Sequence, residues 1–182
     1  MERATTSLED MVERHPDYAM PHAVLDGEQR RIPVRPIYAR PAGSICASIA
    51  EMAEWMRFHL DLITGRDGVR LSPAAATELT APQIYISHAD FAEIGPVHYG
   101  FGFFVGHYRG ARSIDHNGGP WFGYNCDLRL LPEYGSGVMV LTNGHDPGYA
   151  PPINAVLDHL LGLEPLPWLD RFRSTRAAPR HR

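Results

Sequence analysis

Ser113-Ile114-Asp115-His116-Asn117-Gly118-Gly119-Pro120-Trp121-Phe122-Gly123-Tyr124 is the stretch on which the reading of this chain depends. It begins as a strand of about 112–117 and then loses its side chains at Gly118 and Gly119. Two readings of those residues stand side by side. In one, a strand simply ends and turns into a hairpin. In the other, the bare backbone lets a ligand lie along the strand and pair with its N–H groups. His116 would then bind a carboxylate or shuttle a proton.

Upstream, the period from Val97 is two: Tyr99, Phe101, Phe103 and Val105 alternate with Gly100, Gly102, Phe104 and Gly106. This predicts one strand with an aromatic face and a nearly bare one. Arg109-Gly110 turns the chain into the strand that carries His116. Downstream, Asn125 to Leu131 alternates again, with Cys126, Leu128 and Leu130 on one face. Pro132 to Gly137 is a turn. Val138-Met139-Val140-Leu141 is an apolar run of the kind found in strands buried on both faces. Residues 97–143 therefore form an antiparallel meander.

Helices surround it. Ser48-Ile49-Ala50-Glu51 is a capping box, and Ile49, Met52, Met56, Leu60 and Ile63 follow at helical spacing, so a helix spans 49–63. Thr64-Gly65-Arg66-Asp67-Gly68 stops it. Ser72-Pro73 opens a second helix, to about Thr80, within a helical region of 48–81. Ile153, Val156, Leu157, Leu160 and Leu161 mark a third, over 152–162. Residues 83–96 read as an irregular loop. Pro16, Pro21, Pro33, Pro36 and Pro41 make residues 1–47 an extended, wrapping segment that leads to a turn at Pro41-Ala42-Gly43-Ser44. The arginine-rich residues 171–182 read as a frayed basic tail. The whole is an α+β pattern, an antiparallel sheet flanked by helices.

The 182 residues suffice for one domain with a core, placed at 1–170. A net charge of −4 gives no support for nucleic acid as a partner. No apolar run approaches a membrane span, and no signal peptide opens the chain, so its compartment is left open. Cys46 and Cys126 read as small buried hydrophobes, and Trp55 and Trp168 as packing residues in helices. Trp121 lies inside the glycine stretch, where packing and binding are both open.

Lysine does not occur; all 17 basic residues are arginine, which stays protonated and is a poor general base. Mechanisms that need a catalytic lysine are therefore excluded for this chain. A phosphate loop with Gly-Lys is excluded too, and no GxSxG nucleophile elbow is present, Gly135-Ser136-Gly137 being a turn. Asp115-His116 and His145-Asp146 could supply metal ligands, but their spacing matches no compact zinc motif; no metal and no cofactor is expected.

From Pro41 onward the series resembles the class C β-lactamase-related serine hydrolases, a family that includes penicillin-binding-protein-like esterases and D-amino peptidases. Pro41-Ala42-Gly43-Ser44-Ile45 and the helix with Met52 and Trp55 resemble its P-A-G-G…D-M-A-x-W segment. Leu71-Ser72-Pro73 resembles its L-S-P-E helix start, and Tyr99-Gly100-Phe101-Gly102-Phe103 its Y-G-x-G-W strand. His116-Asn117-Gly118-Gly119 with Phe122-Gly123-Tyr124 resembles H-x-G-G-x-x-G-F. Leu131-Pro132-Glu133, Gly137 to Val140 and Leu141-Thr142-Asn143 resemble its last hairpin, and Met1 to Thr6 its G-M-x-x-T junction.

The resemblance implies a partial serine β-lactamase/DD-peptidase-like fold. It also implies that His116, Asn117, Gly118 and Gly119 are the substrate-side motif, with His116 and Gly119 taking part in catalysis. Gly119 would lend a backbone N–H to the oxyanion hole. The family's nucleophile and base sit in S-x-x-K, and a tyrosine in Y-x-N helps move the proton. Neither motif is present here, so the chain reads as the C-terminal half of such an enzyme, inactive alone. The intact enzyme would act on a small ester, amide or lactam. The strand at 138–142 would lack its sheet neighbour and offer an exposed edge for pairing, leaving the isolated chain marginally stable or dependent on a partner. A non-catalytic ligand-binding or interaction module on the same sheet is the alternative; a metal hydrolase is a more distant one.

Overall fold

The computed structural model describes residues 1–35, 42–66, 71–88, 91–119, 123–144 and 150–177. Pro36, Pro41, Asp67-Gly68, Trp121, Phe122, His145-Asp146 and the last five residues lie outside the described residues.

The elements in chain order are α1 (Leu8–Arg14), β1 (His22–Leu25), β2 (Glu28–Arg31), α2 (Ile49–Thr64), α3 (Pro73–Leu79) and β3 (Ile84–His88). Then come β4 (Pro96–Tyr99), β5 (Phe104–Tyr108), β6 (Ala111–Gly118), β7 (Asn125–Leu131), β8 (Ser136–Thr142), α4 (Ala150–Leu160) and α5 (Trp168–Ala177). Strands β3 to β8 form one six-stranded sheet in sequence order, a meander, while β1 and β2 form a separate hairpin. The fold class is the expected one, α+β with an antiparallel sheet flanked by helices.

The strongest sequence signals hold. Helix α2 begins with the capping box: Glu51 N–H donates to Ser48 Oγ at 3.3 Å, and Ser48 N–H donates to a Glu51 carboxylate oxygen at 3.1 Å. Ser72 caps α3 through the Ala75 N–H. The β5–β6 turn puts Arg109 at φ 47° and Gly110 at φ 89°, the left-handed pair of a tight hairpin.

Five expectations are corrected. Residues 84–88 are a strand, β3, not a loop. Ile84, Tyr85 and Ile86 are all exposed and a bulge falls between Tyr85 and Ser87, so no period of two reaches the sequence. The strand expected to run through 97–105 is two strands, β4 and β5. Gly102, at φ 86°, is a turn residue, and a Cβ on Gly100 would fall 2.9 Å from the Ala81 carbonyl oxygen. Residues 1–47 hold more than extended chain: helix α1 capped by Ser7, and the β1–β2 hairpin on Asp26-Gly27, a turn pair with φ 54° and 81°. Strand β8 is not buried on both faces; it ends the sheet order, is half-buried, and leaves Leu141 40% exposed. The described part of the basic tail belongs to α5, whose Arg171 makes a two-pronged ion pair with Glu93 at 2.8 Å and lies over the rings of Phe91 and Trp168.

The chain divides into two compact units. The first takes described residues of Met1–Phe58, Asn117–Asp127 and Met139–Tyr149. In it Thr5 and Cys46 exchange backbone hydrogen bonds at 2.8 and 3.0 Å. The Glu51 carboxylate also accepts from the N–H groups of Arg3 and Ala4. These donors, led by the Ser48 N–H, pull the Glu51 carboxyl down to about 2. His22 N–H donates to the Asn143 carbonyl at 3.0 Å, Tyr124 Oη–H to Ala19, and Asn143 Nδ2–H to Met20.

The second unit takes described residues of His59–His116, Leu128–Val138 and Ala150–Arg182. Its core is Tyr108, Ile114, Leu130, Leu131, Ile153 and Leu157, each without measurable exposure. Fully buried Asp158 accepts from Tyr108 Oη at 2.7 Å, Arg109 Nη1 at 2.8 Å, Trp168 Nε1 at 2.7 Å and the Leu166 N–H at 3.2 Å. Burial alone would raise its carboxyl, but the bonds from Arg109, Tyr108, Trp168 and Leu166 outweigh it and hold it below the usual range.

Candidate functional site

Strand β6 is positioned by its pairing with β5, with Val105 opposite Ile114 and Phe104 opposite Asp115. Its first half is core: Ser113 and Ile114 are buried. Burial then falls along the strand. His116 and Gly118 are half-buried, and Asn117 and Gly119 are exposed. The ribbon singled out in the sequence is therefore reachable from solvent.

His116 stands in an aromatic setting. Its Nε2 is 3.1 Å from Tyr99 Oη. Its ring lies 5.6 Å from Phe104 at an interplanar angle of 34°, and Tyr99 meets Phe104 edge-on at 4.9 Å. Tyr99 ends β4 and Phe104 begins β5, and the two are register partners, so the sheet itself sets this cluster. Burial raises the Asp115 carboxyl; the opposing influences are Arg129, a long hydrogen bond from Ser113 Oγ at 3.4 Å, and His116.

The glycines have a reason that the sequence did not reveal. A Cβ on Gly118 would fall 2.7 Å from Cys126 Sγ. On Gly119, at φ 110°, it would fall 2.4 Å from Asn125 Oδ1 and 2.5 Å from the Tyr124 carbonyl oxygen. What approaches this backbone is the start of β7. Asn125 is buried and donates to the Gly144 carbonyl at 2.6 Å. Cys126 and Cys46 are half-buried free thiols rather than fully buried ones, and burial is the leading reason both are raised.

Of the four sequence candidates, His116 carries the titratable group, Asn117 and Gly119 face solvent, and Gly118 is fitted to Cys126. Sequence reasoning missed Tyr99 as the partner of His116, treating it as one aromatic of a strand face. The signal was there: both β4 and β6 flank β5, which brings the end of one toward the end of the other. Among the described residues no cluster of three or more His, Cys, Asp or Glu is placed to hold a metal ion. Among them, too, no helix is long and apolar enough to cross a membrane.

Comparison with known proteins gives two findings. The family profile described as Beta-lactamase matches residues 3–162. Among solved structures, the octameric penicillin-binding protein homologue from Pyrococcus abyssi superposes with a TM-score of 0.76 at 24% identity. The match covers 95% of this chain and 38% of that one, so the chain spans well under half of that neighbour's length. No curated protein matches.

Proposed function

Because the chain belongs to the β-lactamase family, we propose that it supplies the substrate-side strand of an acyl-transfer hydrolase site and depends on other polypeptide for the nucleophile. The observation that carries this reading is the half-exposed His116 at the open end of β6, followed by Asn117, Gly118 and Gly119. In this reading His116, Asn117 and Gly118 line the substrate, and the Gly119 N–H points its dipole at the developing oxyanion. Small esters, amides and lactams are the substrate class. With no lysine, the chain has no S-x-x-K pair, and the covalent route is closed to it alone.

Intact-mass analysis after incubation with a penicillin and with a chromogenic ester tests the reading. The expected result is no acyl adduct and no turnover above buffer. Turnover abolished by His116→Ala would show that a nucleophile is present after all.

The non-catalytic interaction module remains the second reading, favoured by the position of β8. It pairs with β7 as the last strand of the sheet and leaves Leu141 40% exposed, an edge suited to another strand.

A further inference from the structure

We propose that Tyr99 is the positioning residue of His116: its hydroxyl donates to Nε2, fixes the neutral imidazole as the Nδ1–H tautomer, and turns His116 into a hydrogen-bond donor toward an oxygen-bearing ligand. This rests on the reading of His116 as substrate-facing and decides between the two roles that reading allows, carboxylate or carbonyl recognition and proton abstraction.

Tyr99 Oη and His116 Nε2 are 3.1 Å apart. A phenol O–H is a better acid than a neutral imidazole N–H, and a ring nitrogen lone pair is a better acceptor than a phenol oxygen. The favoured bond therefore runs from Oη–H to Nε2, and the ring proton must sit on Nδ1. Tyr99 is well held for this task. Its carbonyl accepts from the Gln83 N–H at 3.0 Å, and its ring rests edge-on against Phe104. Among the described residues, Tyr99 Oη has His116 as its one hydrogen-bond partner and His116 Nδ1 has none. The Nδ1–H is therefore the polar atom that His116 keeps for a ligand.

Asp115, the neighbour of His116 on β6, takes the long hydrogen bond from Ser113 Oγ at 3.4 Å, and the charges that bear on it are Arg129 and His116. With its only basic lone pair occupied by Tyr99, neutral His116 cannot accept a proton from a substrate without first breaking that bond. It can donate through Nδ1 to a carboxylate or carbonyl oxygen, and that chemistry defines the ligand.

Ring-nitrogen NMR on the uniformly 15N-labelled full chain, at a pH where His116 is neutral, tests the proposal. His116→Gln identifies the signals. The wild type is expected to show a protonated-type Nδ1 and an unprotonated-type Nε2. Tyr99→Phe, which keeps the ring contact with Phe104, is expected to lose that bias and shift the ring toward Nε2–H. A wild-type ring already in the Nε2–H form overturns the proposal, as does an unchanged pattern in Tyr99→Phe. If Tyr99→Phe fails to fold, the wild-type tautomer alone decides. The measurement needs no substrate, so its failure leaves the family reading of β6 standing, and turnover by the chain leaves the tautomer assignment standing.

Discussion

A methyl group on Gly119 would sit 2.4 Å from Asn125 Oδ1, on a backbone whose φ of 110° already disfavours any side chain. Gly119→Ala is expected to cost about 2–4 kcal/mol, combining backbone strain with overpacking. Gly118→Ala meets only Cys126 Sγ, at 2.7 Å, and is expected to cost about 1–3 kcal/mol. The pair Gly118→Ala with Cys126→Ala should recover most of that loss, a coupling that urea unfolding of the four variants would measure. Recovery in the double variant would place the glycine requirement in packing; its absence would place it in the backbone. His59 supplies a pH effect. Burial lowers it to about 4 from an ordinary 6.5, so the unfolded chain binds the proton that the folded chain refuses. Stability is therefore full above about pH 6.5 and falls as pH drops toward 4, and His59→Leu should flatten that limb in urea midpoints. The sequence showed the glycines and the histidine. It did not show that Cys126, Asn125 and Tyr99 stand against them, because those neighbours come from cross-strand pairing.

Among elements, the best-read were those whose own residues specify them. Helix α2 carries both halves of its capping box, and β7 runs over the expected residues Asn125–Leu131. The misread ones take their structure from contacts elsewhere. Helix α5 has a weak apolar stripe, and it is held by Trp168 on Asp158 and Arg171 on Glu93. Strand β3 is exposed at Ile84, Tyr85, Ile86 and Ser87 and is held by its pairing with β4. Asp158 is the polar centre of the second unit, where it receives Tyr108, Arg109 and Trp168. Asp158→Ala is expected to cost about 3–5 kcal/mol, since it leaves the partly buried Arg109 without its counter-charge and takes the acceptor from the buried Trp168 N–H. Chemical denaturation followed by Trp168 fluorescence would read it.

For the whole molecule, the meander was legible from β5 to β8, where the sequence between strands carries glycine, and not at β3 or at the break between β4 and β5. The family resemblance extended it to the fold, which the 0.76 TM-score supports. The sequence holds no lysine and so no S-x-x-K pair. The β8 edge gives a prediction at this scale. At high concentration the chain should self-associate, and Leu141→Lys, a charge on the exposed edge, should shift it toward monomer in sedimentation velocity. Unchanged association would remove β8 as the contact.

In the proposed function the β6 ribbon faces a substrate while the attacking group lies on other polypeptide. The most direct measurement is a backbone-amide NMR titration of the full chain with benzylpenicillin. Shifts are expected to concentrate at His116, Asn117, Gly118 and Gly119 and to weaken in His116→Ala, with the lactam recovered intact. Shifts confined to other regions, or none at millimolar ligand, would contradict the proposed function.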